Sequence, residues 1–532
     1  MLKRIRRILA VVMFVGITLL FLDFTGTLHH YIGWMAKIQL LPALLALNIG
    51  VIVALIVVTL LFGRIYCSVV CPLGVMQDII AWLGGRRWKG KHRWAMRPKR
   101  YSYSPAVSWL RYAALIVMIV AVAAGIGSLV ALLAPYSSYG RIATTLLQPV
   151  YIAVNNLLAG WAEQQGSYLF YEREIWVRSM PTLIIAAVTF IIIAILAIRG
   201  GRTYCNTICP VGTLLGILSR FSWLKIRIDK EKCVGCGLCS GACKASCIDF
   251  KNHEVDYSRC VTCGVCIDKC HSGALTYGHA AGKTSSKDTT SSSSNGATSS
   301  SSKDTGDSID KGRRAFLIGT ALATASTLMA QKNKKVDGGL AKIEDKVAPE
   351  RKTPVTPPGS LSAMNMARHC TGCQLCVSEC PNDVLRPSTD LLRMMQPHSS
   401  FERGYCRPEC TRCSEVCPTG AIQRISVEDK AVIQTGHAVW IKENCIPVAE
   451  GQACGNCARH CPTGAIQMVP MDPKGGTPPE GAMPPGPRRP ILMIPAVNIS
   501  ICIGCGACEN LCPARPLSAI YVEGHEQHSL IK

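Results

Sequence analysis

The spacing of the cysteines is the feature that most constrains the fold of this chain. Six runs of four cysteines use 24 of its 29 cysteines. The first two runs follow the pattern C-x2-C-x2-C-x3-C, in which three close thiolates hold one [4Fe–4S] cluster and the fourth holds its neighbour. They are Cys233, Cys236, Cys239 and Cys243, followed by Cys260, Cys263, Cys266 and Cys270. The pattern predicts a two-cluster ferredoxin domain over residues 223–280.

The exchange of the fourth cysteine sets the expected ligands of the two clusters. One cluster is assigned to Cys233, Cys236, Cys239 and Cys270, and the other to Cys260, Cys263, Cys266 and Cys243. A zinc site would show separated C-x2-C pairs, so the close runs favour iron and sulfide. Cys247 lies outside the quartets and aligns with the Ala of a CPTGAI motif found twice further on, which favours a small core residue over a ligand.

Four further quartets follow in the second half of the chain, and in each of them the fourth Cys precedes Pro. They are Cys370, Cys373, Cys376 and Cys380; Cys406, Cys410, Cys413 and Cys417; Cys445, Cys454, Cys457 and Cys461; and Cys502, Cys505, Cys508 and Cys512. The segment CPTGAI recurs at 417–422 and 461–466, which indicates an internal repeat. We therefore predict four clusters in residues 332–532 and six [4Fe–4S] clusters in all.

Long apolar runs predict a membrane domain over residues 1–222. The chain is 49% hydrophobic, and the runs cover residues 8–28, 40–62, 112–134, 181–198 and 315–330. The first four are predicted as spans and the fifth as a signal or anchor helix. The expected fold is a multi-domain chain, an α-helical membrane domain with α+β ferredoxin-like domains on both sides.

The distribution of Lys and Arg predicts the orientation in a bacterial inner membrane. Basic residues concentrate at the N-terminus and in 63–108, which are therefore expected in the cytoplasm. Residues 223–310 follow on the cytoplasmic side and 332–532 on the periplasmic side. The net charge is +23, and the basic residues lie mainly beside the apolar runs, so membrane lipid is expected as a partner. No basic-aromatic recognition module occurs, so nucleic acid is not expected as a partner.

Two segments connect the halves of the chain. Residues 281–310 are rich in Ser and are expected to be a disordered linker. Residues 311–331 begin with KGRRAFL, which is similar to a twin-arginine export signal and is expected to stay uncleaved as an anchor. The alternative is an ordinary weak span with flanking positive charges.

A twelve-residue segment occurs twice, each time after an apolar run. Residues 63–74 read GRIYCSVVCPLG and residues 201–212 read GRTYCNTICPVG. The spacing predicts that both thiols of each copy share one helical face that Pro then ends. A parallel repeat about the membrane normal would bring Cys67, Cys71, Cys205 and Cys209 together. They are candidates for a shared metal or cluster site, for redox thiols without metal, or for structural residues.

The motifs point to electron transfer rather than to nucleophilic or phosphoryl chemistry. No GxSxG, P-loop or dinucleotide motif occurs in a suitable setting. Clusters on opposite faces of a hydrocarbon layer about 30 Å thick need a redox carrier within or beside the membrane. Quinol is the expected mobile carrier, and the repeated CxxxCP segment is the other candidate. Asp23, His29 and His30 are candidates for proton release near the outer face, and Tyr66 and Tyr204 recur beside the cysteines.

The first 278 residues resemble the NapH type of membrane ferredoxin associated with periplasmic nitrate reductase. The resemblance lies in the four spans, both CxxxCP segments, the segment PYSSYGR at 135–141 and the two cytoplasmic quartets. Lys244 and His271 replace the usual Pro after the fourth Cys. Residues 311–532 resemble the exported partner of this family, NapG, so the chain looks like a fusion of the two.

The resemblance implies quinol oxidation and electron delivery to a periplasmic reductase or cytochrome subunit. It also implies that, among the last four quartets, the first shares ligands with the fourth and the second with the third. A quinol dehydrogenase-type electron-transfer component is therefore the favoured function. A redox maturation factor that uses the CxxxCP thiols on a metalloenzyme is the alternative, and a cluster-bearing scaffold without turnover is a third.

Overall fold

The computed structural model describes residues 2–85, 101–167, 170–279, 344–471 and 492–531. The predicted linker at 281–310 and the predicted signal or anchor helix at 311–331 lie outside these residues. Residues 2–278 and 344–531 belong to one compact unit.

The secondary structure of the described residues up to 222 is helical. The helices before the CxxxCP repeats and around the first of them are α1 Leu2–Leu22, α2 Thr27–Ile32, α3 Trp34–Lys37, α4 Leu40–Leu45, α5 Ile49–Phe62, α6 Ile65–Val69 and α7 Pro72–Gly85. Those that follow are α8 Ser108–Ala124, α9 Gly127–Leu133, α10 Pro135–Ile142, α11 Gln148–Gln164, α12 Met180–Gly200, α13 Thr203–Thr207 and α14 Pro210–Ser219. A π-helical turn, Ala143–Leu147, joins α10 to α11.

Three helices of the described residues are long and apolar enough to cross a membrane: Lys3–Leu22, Pro135–Gln164 and Met180–Gly200. The second of these lies between the third and fourth predicted spans, where no span was predicted. Polar side chains of this helix have partners beyond its end: the Nδ2 atoms of Asn155 and Asn156 donate to the carbonyl oxygens of Tyr171 and Arg173 at 2.9 and 2.8 Å.

Two predicted spans differ from continuous helices. The run 40–62 is divided into α4 and α5 at Leu47, which has a left-handed φ of 51°. The run 112–134 is divided into α8 and α9 at Gly125, where φ is 71°. Helix α5 has 14 residues and helix α8 has 17, so both are shorter than the length of a full span. Apolar content alone did not reveal these breaks, because neither run contains a proline at the break.

Two regions outside the membrane-type helices have the expected α+β content. The first ferredoxin-type region, residues 223–279, contains β1 Lys225–Ile228, α15 Leu238–Ala242, β2 Ile248–Asp249, β3 Glu254–Val255, α16 Val265–Asp268 and β4 Leu275–Gly278. Strand β1 pairs antiparallel with β4 in the register Lys225↔Gly278, and β2 pairs with β3. Each cysteine quartet thus leads into a short helix between two-stranded ladders.

The second ferredoxin-type region, residues 344–531, is larger. Its helices are α17 Ala363–His369, α18 Leu375–Ser378, α19 Arg412–Val416, α20 Val427–Val432, α21 Ile446–Ala449, α22 Asn456–Arg459 and α23 Ala507–Asn510. Its strands are β5 Leu385–Pro387, β6 Pro397–Ser399, β7 Ile433–Trp440, β8 Ile466–Pro470, β9 Met493–Val497 and β10 Ile520–Leu530. The antiparallel pairs are β5 with β6, β7 with β10 and β8 with β9.

The two ferredoxin-type regions contact opposite ends of the apolar helices. At the start of α1, Lys3 Nζ lies 2.7 Å from Asp268 Oδ2 of the first region. Beyond the other end of α1, the backbone of Gly26 lies against the Arg412 side chain of the second region. Helix α12 behaves likewise: Arg178, just before it, lies 3.9 Å from Asp383 of the second region. After it, Arg202 N donates to Lys244 O of the first region at 2.9 Å.

We predict that Gly140→Ala loosens the second region from the helices. A Cβ at this position would lie 2.3 Å from Cys373 O and 2.9 Å from the Phe21 ring. Because backbone and packed ring cannot move freely, the overpacking is expected to cost about 1–3 kcal/mol. Thermal unfolding of the detergent-solubilised chain, with limited proteolysis of residues 344–531, measures the effect.

Gly160→Ala is the matched control for this prediction. Gly160 lies on the same continuous helical segment and has nothing within 4 Å of an added Cβ. It is expected to unfold and to resist proteolysis like the unchanged chain. Equal behaviour of the two variants would contradict the close approach of α10 to Cys373.

Candidate metal centres

The loops of the four regularly spaced quartets share one backbone geometry. In each, the second and fourth residues after the first Cys have left-handed φ angles. They are Gly235 and Gly237, Thr262 and Gly264, Gly372 and Gln374, and Gly504 and Gly506. Such turns leave backbone N–H groups facing sulfur, as Gly372 N faces Cys370 Sγ at 3.4 Å. Hydrogen bonds of this kind stabilise cluster ligands and tune the cluster potential.

The cysteines of the first ferredoxin-type region gather at two places. Site two combines the close thiols of the second quartet with the fourth Cys of the first quartet, and these lie within electrostatic range of one another. Its members are Cys243, Cys260, Cys263 and Cys266. At site one, Cys233, Cys236 and Cys239 lie together, and the assignment of Cys270 to that site stays a prediction.

Cys247 lies at site two rather than in a remote part of the core. Its side chain is 1% exposed, and its Sγ is 3.5 Å from Cys243 Sγ. The sequence predicted a small buried residue, and burial is observed. The closeness to two ligand thiols, Cys243 and Cys260, was not foreseen.

The four quartets of the second region pair differently from the expectation based on resemblance, which is wrong in the structure. The first quartet exchanges its fourth Cys with the second, and the third exchanges with the fourth. Site three has Cys370, Cys373, Cys376 and Cys417; site four has Cys380, Cys406, Cys410 and Cys413; site five has Cys445, Cys454, Cys457 and Cys512; and site six has Cys461, Cys502, Cys505 and Cys508. The physical reason is local packing, since α18 lies against α19 and α22 against α23.

At two of these sites the four thiols line one common space, which tests whether a cluster fits. The space measures about 380 Å³ at site four and about 280 Å³ at site six, and both are partly open to solvent. The Pro after the fourth Cys, Pro381 or Pro462, lines the same space. Four converging thiols in an apolar enclosure with nearby N–H donors are what a [4Fe–4S] cluster requires. The residues therefore fit the group.

The thiols need iron to become charged. Burial raises the pKa of Cys373 and of Cys505 to about 12, so the anionic ligand form depends on the charge of bound iron. Among the described residues, no three or more His, Cys, Asp or Glu side chains lie close enough together to bind one metal ion. This does not conflict with the quartets, because a four-iron core keeps its ligand sulfurs further apart than a single ion does.

The four sites of the second region form a row that does not follow the order of the chain. Site three adjoins site four, since Cys376 and Cys413 lie within electrostatic range. Site four adjoins site six, because Cys406 N donates to Cys505 O at 2.9 Å. Site six adjoins site five through Cys508 and Cys457. The row runs three, four, six, five, and site three is the end that contacts the apolar helices.

The cysteines of the two CxxxCP segments lie together in the core of the apolar helices. We call Cys67, Cys71, Cys205 and Cys209 the membrane thiol cluster. Each is 4% exposed, and all belong to one packed core. They lie close enough to act on one another electrostatically. Their places in the helices differ from expectation: α6 and α13 end before the second Cys of each pair, and Pro72 and Pro210 begin the next helix.

The two repeats hold each other by a reciprocal contact. Arg202 Nη1 donates to Cys67 O at 2.5 Å, and Arg64 Nη2 donates to Cys205 O at 3.4 Å. Gly74 and Gly212, the last residues of the two segments, make room for these contacts. A Cβ at Gly74 would lie 2.3 Å from Cys67 O, and a Cβ at Gly212 would lie 2.4 Å from Cys205 O. The identical Arg and Gly positions of the repeat thus serve the same local role twice.

Aromatic and polar residues extend from the membrane thiol cluster toward site three. Tyr66 donates from its hydroxyl to Gln39 Oε1 at 2.9 Å. Tyr136 lies within electrostatic range of Tyr66, Cys373 and Cys417, and its buried hydroxyl has no partner among the described residues. The hydrophobic sequence around Gln39 gave no sign of this role.

Arg141 belongs to the PYSSYGR segment and is fully buried. Its Nη1 donates to Ala131 O at 2.5 Å and its Nη2 to Ser138 Oγ at 3.2 Å. It lies within electrostatic range of Tyr204 and Cys373. Among the described residues it has no carboxylate partner, and it lies between the second CxxxCP repeat and site three.

The candidates for proton release differ in their surroundings. Asp23 is a capping residue, since its carboxylate accepts from Thr25 N at 2.8 Å and from Leu28 N at 2.9 Å. His30 is exposed, whereas His29 has a buried Nδ1 without a partner among the described residues. Glu379 was missed by the sequence analysis. It is 1% exposed and neither carboxyl oxygen has a partner in the described part of the chain. Burial and Asp23 raise its pKa to about 8.

Two family models match parts of the chain. A model described as a 4Fe-4S binding domain matches residues 44–91 and 180–231, which contain both CxxxCP segments. A model described as a 4Fe-4S dicluster domain matches residues 444–515, which contain all eight cysteines of sites five and six. Fold, sites and models together define an iron–sulfur electron-transfer protein with membrane-type helices.

Curated relatives identify the family. The chain is 30% identical over 177 residues to the methylamine utilization ferredoxin-type protein MauM of Methylobacillus flagellatus, which is 33% of this chain and 70% of MauM. It is 29% identical over 207 residues to YccM of Escherichia coli, named for electron transport, and 28% identical over 204 residues to the ferredoxin-type protein NapH of Escherichia coli. These matches cover 38% of this chain in both cases, 47% of YccM and 55% of NapH. The chain belongs to the ferredoxin-type electron-transport proteins.

The similarity covers parts of the relatives. The chain spans 47% of YccM and 66% of the uncharacterized protein MJ0749 of Methanocaldococcus jannaschii. No solved structure matches the chain. Substrate and partners therefore have to be argued from the sites themselves.

We predict that iron counts of double variants reveal the pairing of the quartets. Cys370→Ser and Cys417→Ser both act on site three, so the double variant is expected to lose about four irons per chain, as each single variant does. Combining Cys370→Ser with Cys380→Ser removes a ligand from sites three and four and is expected to lose about eight. Iron per chain is measured on anaerobically purified full-length protein.

Cys370→Ser with Cys512→Ser separates this pairing from the one implied by resemblance. The structure places the two residues at different sites, so a loss of about eight irons is expected. A loss of about four from this variant, together with about eight from Cys370→Ser with Cys417→Ser, would contradict the observed pairing.

Proposed function

We propose that the chain is a multi-pass protein of a bacterial inner membrane that oxidises quinol and delivers the electrons to a periplasmic reductase or cytochrome subunit. The second ferredoxin-type region then lies on the periplasmic side and the first on the cytoplasmic side. The excess of Lys and Arg in residues 63–108 supports this orientation. Export of residues 332–532 through the twin-arginine-like segment and the likeness to a fused NapH and NapG are parts of the same proposal.

One observation carries the proposal: site three is seated on the apolar helices. Gly372 of its ligand loop packs against Ala131 of α9, and Thr144 Oγ1 lies 3.2 Å from Gln374 Oε1 of the same loop. The backbone of Cys373 touches Gly140. A lipid-soluble reductant that reaches this end of the helices therefore comes close to the first of four consecutive sites. The row of sites then leads away from the helices toward site five.

The chemistry that fits this arrangement is the stepwise oxidation of quinol. Bound [4Fe–4S] clusters accept and release single electrons. Quinol supplies two electrons and two protons and becomes quinone, so the electrons leave one after the other and the protons are released on the outer side. Glu379 lies in the chain between the site-three ligand Cys376 and the site-four ligand Cys380, and neither of its carboxyl oxygens has a partner among the described residues. We place it against a quinol hydroxyl as a hydrogen-bonding residue.

The maturation-factor alternative is less well supported. A factor that reduces a partner's thiol or metal needs thiols that the partner can reach. The membrane thiol cluster is 4% exposed at each Cys, and its backbone is enclosed by the opposite repeat. This burial favours a role inside the chain over direct exchange with a partner.

We predict that quinol reduces the clusters of the full-length protein in membranes. Anaerobic addition of a reduced menaquinone analogue is expected to bleach the visible cluster absorbance and to give the resonance signals of reduced clusters. Failure of the quinol to reduce any cluster that dithionite does reduce would contradict quinol oxidation.

A second prediction concerns Glu379→Gln. Loss of the hydrogen bond made by the buried carboxyl group is expected to slow quinol-dependent reduction about tenfold, while dithionite reduction and iron content stay unchanged. Glu409→Gln makes the same chemical change at an exposed carboxylate near site four and is expected to keep the original rate. Equal rates for both variants would move the quinol site away from Glu379.

A further inference from the structure

We infer that the membrane thiol cluster holds a seventh iron–sulfur cluster, which links site two to site three so that electrons cross the membrane within this chain. The inference rests on the proposed function for its direction and its final acceptor. It concerns Cys67, Cys71, Cys205 and Cys209, which the quartet spacing leaves unused.

Uncompensated positive charge around these thiols is the first argument. Arg64 is fully buried and has no carboxylate partner among the described residues; it donates to Asn206 Oδ1 at 3.2 Å and to Ser258 O at 2.7 Å. Its Nη2 also lies 3.7 Å from Cys67 Sγ. A buried charge without a partner is strongly unfavourable. Neutral thiols would leave Arg64 in that state, whereas thiolate ligands around iron would not.

The carboxylate of Asp78, which pairs with Arg202 of the second repeat, already has several cationic partners. Asp78 accepts two hydrogen bonds from Arg202, at 3.0 and 2.8 Å. Arg6 and Lys244 also lie 3.5 and 3.6 Å from its oxygens. Three cations therefore share the Asp78 carboxylate, and Arg64 is a further buried cation beside the thiols. An iron–sulfur cluster with four thiolate ligands carries a net charge of about −2 when oxidised, which supplies the missing negative charge.

Both ligand loops of site two touch the CxxxCP repeats. The Ser258 carbonyl that accepts from Arg64 precedes Cys260 by two residues. On the other repeat, Asn206 Nδ2 donates to Ala245 O at 3.1 Å, two residues after Cys243. The Thr262 side chain lies against Gly63. Site two therefore faces the membrane thiol cluster across one layer of residues.

A matching layer separates the membrane thiol cluster from site three. Gln39 Nε2 donates to Val70 O at 3.3 Å, next to Cys71, and Gln39 also accepts from Tyr66. Tyr136 then lies between Tyr66 and the site-three ligand Cys373. A redox centre at the four thiols would stand between two otherwise distant sites, with one layer of side chains on each side.

A dithiol relay without metal fits this position less well. A dithiol and its disulfide exchange two electrons, whereas the neighbouring sites take one electron at a time. The position between these sites therefore favours a centre that also transfers one electron at a time. When a one-electron donor on the side of the first ferredoxin-type region has reduced site two, one electron would pass from site two to site three by way of the cluster held by the four thiols. Site two would return to its oxidised state, site three would become reduced, and no proton is needed.

The iron content of the full-length protein tests the site directly. Six clusters correspond to about 24 irons per chain, and a seventh raises the number to about 28, or to about 26 if it has two irons. Cys67→Ser with Cys205→Ser is expected to remove the surplus, and Ser68→Ala, the neighbour of Cys67 on α6, is expected to keep it. A count of about 24 in the unchanged chain, with the same Mössbauer spectrum in the Cys variant, would overturn the inference.

Electron crossing gives the second readout. In quinone-free proteoliposomes sorted for one orientation, dithionite added on the side of the first ferredoxin-type region is expected to reduce the clusters of both regions. In the double Cys variant it is expected to reduce those of the facing region alone. Reduction of the far clusters in that variant at the original rate would contradict the relay.

The two proposals fail separately. If quinol reduces no cluster while dithionite reduces the far clusters through the chain, quinol oxidation is wrong and the relay stands. If quinol reduces the second region but dithionite does not cross, the relay is wrong and quinol oxidation stands. Should the double Cys variant not fold, the iron count and the crossing in the unchanged chain decide the matter, because 24 irons or no crossing would each reject the relay.

Discussion

The reciprocal hydrogen bonds between the CxxxCP repeats are the interaction on which the rest of the structure depends. Arg202 binds the backbone of Cys67, and Arg64 binds the backbone of Cys205. These bonds hold the two CxxxCP segments together, in a part of the protein where hydrophobic packing alone gives little specificity. They also fix the surface on which site two rests, since Arg64 continues to Ser258. The core of the helices and the placement of the first ferredoxin-type region are therefore coupled.

Much of the cofactor chemistry was predictable from spacing. Each regular quartet is closed by local turns, and the residues at its left-handed positions lie within the motif itself, so sequence and geometry are tied over a few residues. The exchange between Cys243 and the second quartet followed for the same reason. Burial of Cys247 was also expected, whereas its closeness to Cys243 depends on how two loops meet and could not be read from either loop.

The failures of prediction arose where long-range contacts decide the structure. No span was predicted between the third and fourth apolar runs, where the structure has the spanning-length helix Pro135–Gln164. The partners of its Asn155 and Asn156, at Tyr171 and Arg173, lie beyond the helix end. Glu379 gave no signal, since its importance comes from lacking partners after folding. The pairing of the last four quartets depends on which short helices pack together, and spacing is nearly the same for every alternative.

The pairing of neighbouring quartets has a consequence for how the second region is built. Every ligand of sites three and four lies between Cys370 and Cys417, and every ligand of sites five and six lies between Cys445 and Cys512. Each half is thus a complete two-cluster module that can close its own ligand sets as soon as its stretch of chain exists, with short loops to order. Such modules can be duplicated, lost or exchanged between proteins as units, lengthening or shortening the electron path without rebuilding the sites that remain.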